Sequence, residues 1–331
     1  MRYRKLFLAL FISVFILFFL FKIVNISDIL FALKKIPVVM VLLSGMFYLL
    51  SYVFRVIRFK TLNKTRIGFK SLFIVVCLHN FFNNILPARI GELSYIYLLK
   101  KRKIPISQAA ASLLIARLLD LLFILMIILA IIPFFLKGMK IYWFQIVASI
   151  LILIAVITLP FLIMRFKKLL TNILLRILLL VNLNESRIKK IIIKAEEMID
   201  SLDIIKSKRV FLKSGISTLL IIASQYLFFY FLLLGLGVNL NLLKIIMAVA
   251  IVFIIYIFPV QGVVGFGTYE GAWAISLIFL GISKELAVTA GFVMHIIQIV
   301  FFVALGILGF LLSYRQGEII NSNSKKPQTF K

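Results

Sequence analysis

Long, uninterrupted runs of apolar residues recur along this chain and alternate with short polar segments that are mainly basic. The runs are continuous, whereas a transmembrane β-barrel would show apolar–polar alternation over segments of about ten residues. Six of them approach or exceed the roughly 20 residues that a helix needs to cross a bilayer. The pattern therefore predicts an all-α, polytopic integral membrane protein with about six full transmembrane helices, at 6–24, 36–54, 106–136, 141–164, 212–235 and 284–313.

Two further apolar regions, 71–99 and 242–281, are interrupted by residues that break helices. Pro87 and Gly91 lie inside the first region, and Pro259 with several glycines lies inside the second. The arms beside each interruption are short for full spans. We therefore expect two re-entrant broken-helix hairpins that enter the membrane from opposite faces as an inverted repeat, an arrangement found in many transporters. Alternatively, three full crossings after residue 236 would also place the carboxyl terminus in the cytoplasm.

Basic residues set the expected orientation, because the cytoplasmic loops of membrane proteins collect lysine and arginine. The start of the chain, MRYRK, and the link after the second predicted helix, which contains Arg55 and Arg58, are both expected in the cytoplasm. If 71–99 crossed the membrane fully, the cluster Lys100–Lys103 would face outward, against this rule. A re-entrant hairpin keeps the cluster inside and is therefore favoured.

The resulting organisation is a single transmembrane domain over residues 1–313, in the cell membrane, with both termini in the cytoplasm. Within it, 165–211 is strongly basic and is predicted to form a cytoplasmic loop. Part of that loop has the mixed charge and helical periodicity of a surface helix. Residues 314–331 form a short polar tail, also expected in the cytoplasm.

Composition supports this class and excludes others. The 331 residues are 63% hydrophobic and only 15% charged, with a mean hydropathy of +1.16. Lysine and arginine exceed the acidic residues by 27 charges, but no soluble module is left to bind nucleic acid, so the excess is expected to face anionic lipid. A single cysteine, Cys77, excludes an internal disulfide. No spacing resembles a metal cluster, and no cofactor is expected.

Charged residues inside apolar segments are the first candidates for function, because each costs about 2.5–3.5 kcal/mol to insert on translocon scales. Arg89 and Glu92 are three residues apart, as are Arg117 and Asp120, so each pair would share a helix face and could form an ion pair. Arg89 could instead snorkel to the surface if its hairpin is shallow. Arg117 and Asp120 could equally be interhelical structural contacts.

The segment FPVQGVVGFGTYEG forms the second candidate region. Gly265 and Gly267 would let the backbone unwind and expose amides, which suits an anionic headgroup. The alternative is a close helix-packing site built from small residues. Glu270 has no cationic neighbour within its own predicted hairpin and is hard to explain as a structural residue. Secondary candidates are Asn84, Tyr269 and His295.

Two phrases resemble a known family. ILPARIGELSYIYLLKKRKIPISQAAASLLIARLLDL and, after it, FPVQGVVGFGTYEGAWAISLIFLGIS are similar to the two hallmarks of the lysylphosphatidylglycerol synthase transmembrane region, a flippase-like family. The resemblance covers nearly the whole chain and has both motifs in the same order. It implies that the lipid headgroup and translocation site consists of Arg89, Gly91, Glu92, Arg117, Asp120, Gly265, Gly267 and Glu270.

Two departures from the family refine what the resemblance implies. His295 stands where the family often has an arginine. Family members that charge phosphatidylglycerol with lysine do so in a soluble aminoacyl-transferase domain, whereas this chain ends in a short polar tail. The resemblance therefore implies translocation of a lipid between leaflets and not its synthesis. The expected partners are the membrane and an anionic phospholipid, a polyprenyl-phosphate-linked lipid or an aminoacylated phospholipid.

Two other functions stay open. The chain could be a membrane subunit or accessory of a lipid-modifying transferase and work with a separate enzyme. Its protein partner could be that enzyme or a second copy of the same chain, in a homodimer. It could also be a structural scaffold, in which case neutralising Glu92 and Glu270 would leave function intact. No nucleophile–histidine–acid set or donor-binding domain points to an enzyme, and none of these patterns identifies the lipid.

Overall fold

The computed structural model describes residues 14–63, 67–135, 142–180, 184–257 and 262–315, and all structural statements concern these ranges. Their regular structure is helical. The α-helices are α1 (Val14–Phe21), α2 (Ile26–Lys35), α3 (Val38–Asn63), α4 (Phe69–Ile85), α5 (Glu92–Lys101), α6 (Ile106–Phe135), α7 (Tyr142–Arg165), α8 (Lys167–Leu180), α9 (Glu185–Ser201), α10 (Lys208–Gly235), α11 (Leu242–Ile257), α12 (Thr268–Phe279) and α13 (Lys284–Arg315). Short 3-10 segments lie at Pro87–Arg89, Leu202–Lys206 and Val263–Gly265.

The all-α polytopic class predicted from the apolar runs is confirmed. In the described part of the chain, four helices are long and apolar enough to cross a membrane, namely α3, α6, α10 and α13. A fifth is reached if α1 and α2, which meet at 80°, are counted as one bent span. Helices suit this environment because they satisfy their backbone hydrogen bonds internally. The count of six full spans stays a prediction, and part of the first predicted span, 6–24, lies outside the described residues.

The core is built from neighbouring helices that pack closely. α3 packs along α10, and α13 packs against both α4 and α12. Glycines allow the close approach of α13 to α4: a Cβ on Gly306 would overlap the ring of Phe81, and one on Gly309 would lie 2.9 Å from the Cβ of Cys77. Small residues serve this purpose in membrane helices, where close van der Waals packing drives association.

Both predicted chain breaks are present. The first hairpin consists of α4, the first break (Pro87–Arg89) and α5; the second hairpin consists of α11, the second break (Val263–Gly265) and α12. The arms have 17 and 10 residues in the first hairpin and 16 and 12 in the second, all fewer than a full span needs. In each hairpin the two arms contact each other, and the two breaks contact each other as well.

A glycine sets the tight geometry of the first hairpin. A Cβ on Gly91 would overlap the carbonyl oxygen of Phe82 and the Cα of Asn83, so only glycine allows α5 to fold back on α4 here. The membrane face from which each hairpin enters, and their relation as an inverted repeat, stay predictions. Pro259 lies outside the described residues.

One part of the predicted topology is wrong. The second predicted helix ended at residue 54, with Arg55 and Arg58 in the basic link that follows. In the structure α3 continues to Asn63, and the Arg58 side chain is only 1% exposed. The reason is tertiary: Arg58 ion-pairs with Asp120 on α6, so a residue that resembles a loop cation is held inside the helix bundle.

The region 165–211 contains the predicted surface helix as α9, which packs against α6 and α8. Ile188 and Ile199 are its buried residues, while most of its lysines are exposed. Such an amphipathic helix buries one apolar stripe and keeps its charges in a polar environment. Its cytoplasmic location stays a prediction.

Candidate functional site

A cavity of about 480 Å³ lies between the first hairpin, α3, α6, α10 and α11. Five charged side chains line it, together with uncharged amides, tyrosines and apolar residues. Four of these charged residues were predicted from the sequence: Arg89, Glu92, Arg117 and Asp120. The fifth, Arg55, was not.

The charged side chains form a continuous network. Glu92 Oε1 lies 3.4 Å from Arg89 Nη1 and 2.9 Å from Arg117 Nη2. Arg117 Nη1 lies 3.5 Å from Asp120 Oδ2. Asp120 then contacts Arg58 with both oxygens, through Nη1 and, at 3.4 Å, through Nη2. Both predicted local pairs are within ion-pair distance, but the shortest contacts join different elements, α5 to α6 and α6 to α3.

Arg89 links the two hairpins. It sits at the end of the first break with φ +56°, a left-handed conformation that non-glycine residues rarely adopt. From there its Nη2 donates to the backbone carbonyl of Tyr256 on α11. Its side chain is 22% exposed, so it is neither fully buried nor free in solvent. The contact places a cation where the two chain breaks meet.

Positive charge is in excess in this site. Among the described residues of the network and the cavity wall, four arginines face two carboxylates. The Nε atoms of Arg55, Arg58, Arg89 and Arg117 are buried and have no hydrogen-bond partner. The cluster therefore retains donors that the two carboxylates leave unused.

Uncharged polar groups complete the wall. The predicted candidate Asn84 lines the cavity beside Asn80 and Asn83, one helical turn of amides on α4. Asn80 and Asn84 each donate from Nδ2 to a backbone carbonyl one turn earlier. The Oδ1 atom of Asn83 is buried without a hydrogen-bond partner. Gln225 and Gln298 add two further amides from α10 and α13.

Glu270 occupies a different environment from Glu92. It is fully buried and does not line the cavity. Its Oε2 accepts from the backbone N–H of Gly267 at 2.7 Å, and its Oε1 lies 2.7 Å from Nδ1 of His295. His295 Nε2 is 3.0 Å from the carbonyl of Val264. These contacts connect the second break to α12 and α13, which gives Glu270 a structural role; its role toward a lipid stays a prediction.

The glycines of the second break are required by the backbone. Gly265 and Gly267 have φ of +81° and +80°, which favour glycine. A Cβ on Gly265 would also lie 2.5 Å from the hydroxyl of Tyr256. The chain is therefore unwound here, as the sequence predicted, although neither glycine lines the cavity.

Tyr269 brings the second hairpin to the cavity. Its ring stacks on His295 with a centroid distance of 4.4 Å, and its hydroxyl donates to Gln298. Both Tyr269 and Gln298 line the cavity. His295 thus lies behind the wall and contacts the site through Tyr269. No group of three or more metal-ligating side chains occurs among the described residues.

The sequence matches the family described as "Lysylphosphatidylglycerol synthase TM region" over residues 6–306. The chain belongs to this family. A comparison with curated proteins found no match. The family match encloses both hairpins and the whole of α3, so the resemblance identified from the two motifs is confirmed and extends to the helix that carries Arg55 and Arg58.

Arg55 and Arg58 lie outside the two motifs of this family, and neither was predicted to belong to the site. A signal was present: Tyr48, Ser51, Tyr52 and Arg55 occupy positions i, i+3, i+4 and i+7, so they share a helix face. All four line the cavity. The stripe runs past the predicted end of the helix, which indicates that the helix continues with the same face toward a polar interior.

Proposed function

We propose that this protein is a lipid translocase of the cell membrane, with both termini in the cytoplasm. It would move an anionic or polyprenyl-phosphate-linked lipid, or an aminoacylated phospholipid, between leaflets. The observation that carries the proposal is the charged cavity beside two broken helices in a bundle of membrane-length helices. A lipid headgroup crosses hydrocarbon at great cost, and a wall of paired charges lowers that cost by replacing water.

The network suits a transient ligand because one carboxylate is shared between two cations. Glu92 contacts both Arg89 and Arg117. A headgroup phosphate would compete with Glu92 for these guanidinium groups, and Glu92 would recover them when the lipid leaves. Charge-assisted hydrogen bonds between arginine and phosphate are strong and geometrically specific, which supports this exchange.

The cavity also has the apolar surface that an amphiphile needs. Leu118, Leu121 and Ile124 of α6 line it, together with aromatic and aliphatic residues of α10 and α11. A volume of about 480 Å³ accommodates a headgroup and its glycerol but not two acyl chains. The acyl chains would therefore remain in the bilayer while the headgroup passes through the protein.

Reconstitution tests the proposal. The purified protein is placed in phosphatidylglycerol vesicles that contain a fluorescent phosphatidylglycerol, and dithionite then bleaches the outer leaflet. Wild-type protein is expected to expose most of the protected inner-leaflet probe, and the double variant Glu92→Gln/Arg117→Gln to expose much less. Arg209→Gln, at an exposed position on α10, is the control for loss of an arginine. Protection equal to that of protein-free vesicles would overturn the translocase function.

The family description supports a second candidate, since it names the membrane region of a synthase. In that case the chain would be the membrane subunit or accessory of a lipid-modifying transferase encoded separately. Mass spectrometry of lipids from cells with and without the protein tests it. If a modified lipid disappears from cells that lack the protein, the accessory function is favoured. If the lipid is still made but accumulates in one leaflet, the translocase function is favoured.

A further inference from the structure

We infer that the cavity binds lipids whose headgroup carries a net negative charge, and that Arg55 binds the phosphate together with Arg89 and Arg117. The inference rests on the proposed translocase function and narrows its three substrate classes, because it disfavours aminoacylated phospholipids with a net positive charge.

Arg55 differs from the other arginines of the site. Arg58, Arg89 and Arg117 each contact at least one carboxylate. Among the described residues, Arg55 has no ion-pair or hydrogen-bond partner, although it lines the cavity and its Nε is buried. A guanidinium group that is partly removed from water and has no direct ion-pair contact is unfavourable, so a ligand that supplies an anion gains binding energy there.

The acidic groups of the site are already occupied. Glu92 contacts two arginines, and so does Asp120. No other acidic residue is found on the described cavity wall, and Glu270 is buried behind it with His295. A cationic headgroup, such as a lysyl ester, would have to displace an arginine to reach a carboxylate.

The overall charge favours the same ligand. The network and cavity wall carry an excess of two positive charges among the described residues. A phosphodiester headgroup reduces this excess, whereas a headgroup with two ammonium groups and one phosphate increases it. Like charges in a partly desolvated site repel more strongly than in water.

The amides identify the rest of the headgroup. Asn83 has a buried Oδ1 without a partner, and Asn80, Gln225 and Gln298 also line the cavity. Such groups bind hydroxyls by hydrogen bonds and carry no charge of their own. The chemical class is therefore a phosphodiester with a hydroxylated substituent, such as a glycerol or a sugar.

Binding to the purified, detergent-solubilised protein tests the inference. A fluorescent phosphatidylglycerol is titrated, and unlabelled phosphatidylglycerol, phosphatidylethanolamine and lysylphosphatidylglycerol compete for it. Phosphatidylglycerol is expected to compete best and the lysyl lipid worst. Arg55→Gln is expected to weaken phosphatidylglycerol binding about tenfold or more, which is typical for the loss of a charge-assisted hydrogen bond, and to reduce the discrimination against the lysyl lipid.

Matched variants control for folding and for charge. Arg55→Lys keeps the charge but not the guanidinium geometry, so it should bind with intermediate affinity; it also provides the test if Arg55→Gln does not fold. Arg209→Gln removes an exposed arginine and should bind like wild type. Glycerol 3-phosphate distinguishes a soluble ligand from a lipid: competition as strong as that of the lipid would overturn the assignment to a lipid headgroup.

Failure of this inference is distinguishable from failure of the translocase function. If phosphatidylglycerol binds through Arg55 but vesicles show no leaflet exchange, the binding site stands and the translocase proposal is overturned. If exchange occurs while the lysyl lipid competes as well as phosphatidylglycerol, the charge selectivity is overturned and translocation stands. If exchange occurs while Arg55→Gln binds like wild type, the role of Arg55 is overturned and translocation stands.

Discussion

The two hairpins contain the same signal in the sequence, a glutamate beside a helix break with glycine, and use it in different ways. In the first hairpin, Glu92 is 23% exposed, lines the cavity and contacts both Arg89 of its own hairpin and Arg117 of α6. In the second, Glu270 is fully buried and is held by a backbone N–H and by His295. The two glutamates thus differ in their partners: one carboxylate lies at a cavity among arginines, and the other is enclosed beside its own chain break.

The local position of each glutamate explains the difference. Glu270 is the third residue of α12 and accepts from the N–H of Gly267, the residue that precedes the helix, as in half of a capping box. Glu92 is the first residue of α5, where its side chain projects from the hairpin toward α6. Glu270 therefore stabilises the second break, to which it belongs, whereas Glu92 joins the first break to the rest of the site.

The largest effect is expected from Glu270→Ala. The substitution leaves His295 and the Gly267 N–H buried without their partner, which typically costs about 3–5 kcal/mol. We expect the detergent-solubilised variant to unfold at a clearly lower temperature or to aggregate on expression. Thermal unfolding followed by size-exclusion chromatography measures this. Glu285→Ala, at an exposed position on α13, is the control, and an equal midpoint for the two variants would contradict the structural role of Glu270.

An intermediate effect is expected from Gly91→Ala. The added Cβ would overlap the Phe82 carbonyl, so α5 must move away from α4, at a cost of about 1–3 kcal/mol. The movement should also displace Glu92 and lower leaflet exchange in vesicles. Gly68→Ala is a matched control, because no atom lies within 4 Å of its Cβ position. Equal stability and equal leaflet exchange for the two glycine variants would contradict the close contact between α4 and α5 in the first hairpin.

The smallest effect on stability is expected from Glu92→Gln. Its ion pairs are partly exposed, and such pairs contribute about 0–1 kcal/mol. Leaflet exchange, in contrast, should fall about tenfold, because Arg89 and Arg117 lose the carboxylate that releases them from a phosphate. Stability and transport are measured on the same preparation. A large loss of stability with unchanged transport would instead indicate that Glu92 has a structural role, as Glu270 does.

The class of protein and the two breaks followed from local features. Apolar run length predicts membrane helices, and proline or glycine within a run predicts an interruption wherever it lies. The spacing of Arg89 and Glu92 and of Arg117 and Asp120 likewise predicted pairs that the structure contains. These predictions needed no knowledge of which helices are neighbours.

The site itself was only partly predictable. Arg58 looks like a loop cation, and only the presence of Asp120 on another helix explains its burial. Glu270 had no evident partner because His295 follows it by 25 residues, on α13. Arg55 became a candidate only when the helix was seen to continue and its face to line the cavity.

The order of residues along the chain is enough to predict that it forms apolar helices, that two of its helical regions are broken, and that charges lie near the breaks. Those properties depend on residues close together in the chain, where helix propensity, hydrophobicity and backbone freedom act. Which charges meet, which are enclosed and which face a cavity depends on how the helices pack. Electrostatic partners are set by distances in space, and contacts across α3, α5, α6 and α13 join residues that the sequence places far apart.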